Sequence, residues 1–152
     1  MTTSYSSPSR TSQRDDAPLP GASFGQAVTR FFTRYTTFSG RASRSEYWWV
    51  ALFNFLVLTV ASILAALAGA GRTDEFGNPA DPGPFGILVG VLVTLYLLAV
   101  LVPSLALNAR RLHDAGFSGW LQLVAFVPFI GALAMFVLTL LPSSDAGSRY
   151  DS

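Results

Sequence analysis

Two short stretches hold nearly all the residues whose types and spacing could do chemistry. The first is Phe38-Ser39-Gly40-Arg41-Ala42-Ser43-Arg44-Ser45-Glu46-Tyr47-Trp48-Trp49. The second is Asn108-Ala109-Arg110-Arg111-Leu112-His113-Asp114-Ala115-Gly116-Phe117-Ser118-Gly119-Trp120. Each carries two guanidiniums and one carboxylate close to a tryptophan. Arginine binds carboxylate and phosphate through paired N–H donors, so the chemistry on offer is ion pairing or anion recognition. Arg41, Arg44, Glu46, Arg110, Arg111, His113 and Asp114 are the candidate cluster. Its excess of positive charge would attract an anionic headgroup at a lipid surface.

Catalytic readings of the same residues are weaker. Gly116-Phe117-Ser118-Gly119 resembles a G-x-S-G serine turn, but the one histidine in the chain, His113, stands five residues away in the same stretch. A serine nucleophile needs a base placed to take its proton. A turn followed by an N-cap before Trp120 is the simpler reading. His113 beside Asp114 suggests a proton shuttle, yet neighbours on a helix point about 100° apart. The chain has no cysteine, which removes disulfides, thiolate metal sites and cysteine nucleophiles. There is no G-x-x-x-x-G-K-[ST] loop and no H-E-x-x-H pair. No enzyme activity, cofactor or metal site is expected, and nothing points to nucleic acid.

These stretches must be positioned by what surrounds them, and that is written for lipid. Of 152 residues, 51% are hydrophobic and only 12% charged, about half the charge of a typical soluble domain. Three uncharged runs, 47–69, 85–107 and 120–141, are each long enough for a ~30 Å hydrocarbon core. Ser43 with Glu46 forms a capping-box pattern ahead of the first. Pro128 and Gly131 should kink the third. Upstream, Phe24, Val28, Phe31, Phe32, Tyr35 and Phe38 share one helical arc, with Arg30 and Arg34 expected on the other side, which predicts an interfacial amphipathic helix over 24–38. Residues 1–22 have little apolar content and are expected to be unstructured, with no h-region of a cleavable signal peptide. The fold expected is therefore an all-α membrane protein with three transmembrane helices preceded by an interfacial helix, ending in a tail over 143–152. Residues 70–84 hold Arg72 against Asp74, Glu75 and Asp81, whereas both motifs are rich in Arg. The positive-inside rule then puts the N-terminus and residues 108–119 in the cytoplasm, the acidic loop outside, and the tail outside after a third crossing.

Small residues Ala61, Ala65 and Gly69 in the first run, and Gly86 and Gly90 in the second, predict close packing of those two helices. Asn54, the polar residue deep in the first run, should find a partner in Ser104 or the backbone near Pro103. Across the bundle, Glu46 is expected to meet Arg110 or Arg111, and Asp114 to meet Arg41 or Arg44.

At the two motifs the chain resembles the domain of unknown function 805 family of bacterial inner-membrane proteins. Phe38, Gly40, Arg41, Arg44, Glu46, Tyr47 and Trp48 match that family's F-x-G-R-x-x-R-x-E-[FY]-W motif. Arg110, Arg111, Leu112, His113, Asp114, Ser118 and Trp120 match its second, with Leu121 where a second Trp is common. Pro128 and Gly131 fit its P-x-x-G step, and Gly147 and Tyr150 part of its tail motif. The resemblance implies a multi-pass inner-membrane protein and carries no activity. The function expected is a non-enzymatic module whose cytoplasmic charge cluster binds lipid headgroups or a partner protein; the alternative is a small transporter, or an accessory subunit of one, working as an oligomer.

Overall fold

Two long helices dominate the computed structural model, which describes residues 17–150. Helix α2 (Arg44–Leu67) starts where the capping box predicts: the Ser43 hydroxyl accepts from the Glu46 N–H at 3.2 Å, and Glu46 Oε2 accepts from the Ser43 N–H at 2.8 Å. Helix α3 (Gly83–Asp114) begins with a proline in its first turn, where a missing N–H costs nothing. At 24 and 32 residues these helices are about 36 and 48 Å long, and both are apolar and long enough to cross a membrane. Helix α3 runs seven residues beyond the uncharged stretch ending at 107. The first seven residues of the second motif, 108–114, are therefore its last two turns and not a loop.

The expected tight seam between α2 and α3 is narrower than its small residues suggest. Gly86 approaches Ala68, whose Cβ would lie 3.4 Å from a Cβ at 86, while Gly90 faces open space. A cleft of about 280 Å³ separates the helices farther along, lined by Ala61, Leu64, Val89 and Tyr96. Asn54 is satisfied by Tyr96, whose hydroxyl donates to Asn54 Oδ1 at 2.7 Å, and by the Val50 carbonyl, rather than near Pro103. The tyrosine reaches across the gap that the short asparagine leaves.

Helix α1 (Phe24–Thr33) is shorter than the expected 24–38 and lies against α2. Phe24 meets Trp49 and Phe53 edge-on or tilted, and Phe32 meets Phe53. Ala27, Phe31 and Arg34 are buried. The inward face is thus rotated towards the arginines, which were expected to point away. Part of the apolar arc (Phe24, Phe32, Tyr35) stays exposed. The expectation for residues 1–22 lies mostly outside the described residues. Residues 17–22, however, are tied down: the Leu19 N–H donates to Glu46 Oε2 at 3.0 Å, the Ala22 N–H to the Ser45 hydroxyl at 3.0 Å, and Arg30 donates to the Ala17 carbonyl at 2.8 Å.

The third apolar run is not one helix. Residues 119–126 form a 3₁₀-helix, α4 (Gly131–Leu140) follows, and the chain reverses between them at Pro128 and at Phe129, whose φ is +65°. A Cβ at Gly131 would lie 2.3 Å from the Val124 carbonyl oxygen and 2.6 Å from that of Ala125, so only glycine lets the second arm press on the backbone of the first. The P-x-x-G step makes a hairpin where a kink was expected. Both its ends sit at the same end of the long helices. Gly119 packs on Ala109 of α3, and the carbonyls of Thr139 to Leu141 are held by Arg111 and Arg44. The tip residues Phe126, Phe129 and Ile130 are exposed. The tail, expected on the far side, returns instead to the two motifs through a short 3₁₀-helix at Asp145–Tyr150.

Candidate functional site

The cluster anticipated as a charged surface is largely interior. Glu46 is 3% exposed, Arg110 1%, and Arg111 and Asp114 0%. It divides into two nodes, each built around one carboxylate.

Glu46 stands in the first turn of α2 and gathers α1, α3 and the segment before α1. Its Oε2 takes the N–H groups of Ser43 and Leu19, and its Oε1 is ion-paired with Arg30 Nε at 2.5 Å. Arg34 lies one helical turn beyond Arg30. Arg110 of α3 is within electrostatic reach of Arg34, Glu46 and Arg30. It donates Nε to the Ala106 carbonyl at 3.3 Å, and its Nη2 is buried without a hydrogen-bond acceptor. A buried guanidinium stays charged and is tolerated only beside an anion; Glu46 supplies that charge.

Asp114 closes the second node. Arg111 Nη1 donates to its Oδ2 at 2.6 Å, one turn back on the same helix, and Ser143 donates its hydroxyl to the same oxygen at 2.6 Å. The remaining nitrogens of Arg111 turn to α4: Nε and Nη2 each reach the Thr139 carbonyl at 3.1 Å, and Nη2 also reaches Leu141. Arg44 Nη2 donates to Leu140 at 2.5 Å. The last carbonyls of a helix lack internal partners and carry its negative dipole end. Two guanidiniums thus cap α4.

The expected cross-bundle pairs are therefore not formed. Glu46 pairs with Arg30, and Asp114 with Arg111 of its own motif. Position on the helix explains this: with α3 extended to Asp114, residues 111 and 114 share a face. The motifs do meet, through backbone. The Ala42 N–H donates to the Arg110 carbonyl at 3.1 Å, and His113 Nδ1 lies 3.2 Å from the Gly40 carbonyl.

His113 belongs to a third feature. Its ring stacks on Tyr150, with centroids 3.9 Å apart and planes 6° apart. The Tyr150 carbonyl accepts from the Gly40 N–H at 3.0 Å, and Ser144 N–H donates to the Asp114 carbonyl at 2.8 Å. A Cβ at Gly147 would lie 2.4 Å from the His113 carbonyl and 3.1 Å from Arg41 Cδ. The tail glycine is there because backbone packs on backbone, and Arg41 runs alongside. Beside His113 opens a pocket of about 520 Å³, lined by Phe38, Ala109, Ser118, Trp120, Gln122 and Tyr150 among others. Ser118 takes the N-cap role expected of it, its hydroxyl accepting from the Trp120 N–H at 3.4 Å. Asp114 is committed to Arg111 and Ser143 and makes no pair with His113.

Arg30, Arg34, Thr139, Ser143, Gln122 and Tyr150 complete these features and were not anticipated as members. The signal available was the i, i+4 spacing of Arg30 and Arg34 beside Ala27 and Phe31, which places both arginines next to a buried stripe.

A family described as "Protein of unknown function (DUF805)" matches residues 35–152. "Inner membrane protein YhaI" of Escherichia coli is 36% identical over 116 residues, covering 76% of this chain and 84% of the relative. "Inner membrane protein YhaH" of the same organism is 32% identical over 116 residues, covering 76% and 85%. No solved structure matches.

Proposed function

Starting from a chain that belongs to the DUF805 family, we propose a non-enzymatic inner-membrane protein that crosses the bilayer twice, keeps both ends in the cytoplasm and binds anionic lipid headgroups there. The inner-membrane placement follows the two relatives' names and the two apolar helices. Two crossings replace the three expected because each arm of the hairpin reaches only about half of a ~30 Å core: eight residues of 3₁₀-helix rise about 16 Å and ten of α-helix about 15 Å. The third segment is then re-entrant, entering and leaving at one face. Backbone at membrane depth is tolerated where it is internally bonded or protein-covered.

The observation that carries the headgroup reading is the charge left at that face. Among the described residues it gathers Arg30, Arg34, Arg41, Arg44, Arg110, Arg111 and Arg149 against Glu46, Asp114 and Asp145, while the opposite loop is acidic. The buried members set the architecture. Arg44 and Arg149 are exposed and Arg41 is half-buried, so their charge is felt at this face. The exposed rings of α1 and the Trp48–Trp49 pair lie at the same level, where aromatic residues favour the interface.

The test is native mass spectrometry of the chain released from membranes of mixed anionic and zwitterionic lipid. Enrichment of anionic lipid is expected. With about 1 kcal/mol per basic residue near a charged surface, Arg149→Gln should cut it roughly fivefold. Unchanged enrichment in that variant would overturn the reading.

A further inference from the structure

The pocket beside His113 is a separate site with its own chemistry, and we infer that it holds the ammonium group of a phosphoethanolamine lipid headgroup. The Gly40 carbonyl can only accept, so His113 Nδ1 carries the proton in the bond between them. In the neutral ring Nε2 is then a bare acceptor. It lies on the pocket side, 3.0 Å from where a Cβ at Gly119 would sit. Gln122 Oε1, a second acceptor, lines the same pocket and is buried with no donor. Two acceptors beside the pocket, with no donor among the described residues, call for a ligand that brings N–H groups.

Two further observations narrow the ligand. Phe38 and Trp120 line the pocket, are 42% and 78% exposed, and pack against no other ring among the described residues. Uncommitted aromatic faces attract cations. Among the described residues no carboxylate lines the pocket, while Arg149 lies over the Tyr150 ring, 4.9 Å from its centroid, and donates to the Gly116 carbonyl. A free cation would meet no counter-charge among these residues. A zwitterion would place its ammonium on the acceptors and rings and its phosphate towards Arg149. Two acceptors further select a primary ammonium, which can donate, over a quaternary one, which cannot. The acyl chains would lie along the apolar hairpin surface that begins at Trp120, which is why a lipid and not a soluble amine is the occupant.

The test uses the full chain in nanodiscs with a constant fraction of phosphatidylglycerol and either phosphatidylethanolamine or phosphatidylcholine, lipids of equal net charge that differ in N–H donors. Native mass spectrometry after release should show one ethanolamine lipid retained per chain, with about tenfold preference over choline. Gln122→Leu and Trp120→Leu should each abolish the preference without altering anionic enrichment, which keeps this result distinct from the general headgroup reading. Gln122→Glu, which adds a counter-charge, should raise it and needs no apolar replacement to fold. Retention should survive a wash with soluble O-phosphoethanolamine. Equal retention of the two lipids, a preference indifferent to Gln122 and Trp120, or full displacement by the soluble headgroup would each overturn the assignment.

Discussion

The carboxylates of Glu46 and Asp114 each organise a different neighbourhood, and at the residue scale that separation has a measurable consequence. Arg111 feels Asp114 and Arg44 but not Glu46. Breaking a buried pair by removing one partner costs about 3–5 kcal/mol, so Arg111→Gln should lower detergent stability by that order. Combining Glu46→Gln with Arg111→Gln should give additive losses within about 0.5 kcal/mol, as sites without shared partners do. Arg111→Gln with Asp114→Asn, and Glu46→Gln with Arg30→Gln, should instead lose less than the sum of their parts. Chemical denaturation of the seven single and double variants measures all three cycles, and coupling between Glu46 and Arg111 would contradict the two-node arrangement. The seven residues of the expected cluster could be picked out by type and spacing. Their partners could not, because Arg30 sits on another element and the reach of α3 past Leu107 decides which faces Asp114 and Arg111 present.

The hairpin was the least legible of the elements. Hydropathy reports how long an apolar run is, and the 22 residues of 120–141 suit a single span. It does not report where the two ends of the run go. Pro128 and Gly131 did announce a break, and their four-residue step allowed a kink or a reversal equally. What decides is the contact of Gly131 with the Val124 and Ala125 carbonyls, a tertiary fact. Gly131→Ala must therefore push two backbones apart and should cost about 1–3 kcal/mol, the usual range for overpacking. Gly90→Ala, at a glycine that faces open space, should cost nothing or stabilise α3 by about 1 kcal/mol through helix propensity. Thermal melts in one detergent compare them, and equal effects would argue against the folded-back arm. Helix α2, by contrast, was readable to within three residues because its capping box is local.

For the whole molecule, charge asymmetry between the motifs and the loop at 68–82 was legible, while the number of crossings turns on the hairpin. The native chain lacks cysteine, so single replacements report sidedness cleanly. Glu75→Cys should react with an impermeant thiol reagent in intact cells. Ser118→Cys and Ser148→Cys should react only once the membrane is opened. Labelling of position 148 in intact cells would support a third crossing against the two proposed. The loop itself is built around Asp74, whose carboxyl is held below its usual range by hydrogen bonds from Asn78, then Phe76 and Gly77. A carboxyl depressed in this way supports the loop above its unfolded titration point and loses that support as pH falls through the folded one. Acidification should therefore loosen residues 73–79 before it touches the opposite face.

The cap on α4 also bears on how the chain is made. As residues 120–141 leave the ribosome, the insertion machinery meets an uncharged run that it would ordinarily thread straight through. Folding back leaves the carbonyls of Thr139, Leu140 and Leu141 needing donors, and Arg44 and Arg111, already synthesised, are waiting to provide them. Two guanidiniums then stand between alternative topologies of one polypeptide. Replacing both by leucine should send a fraction of newly made chains through the bilayer and bring Ser148→Cys within reach of the external thiol reagent, while Arg149→Leu should not. Orientation in this protein would thus be decided late in synthesis, by residues that precede the segment they direct.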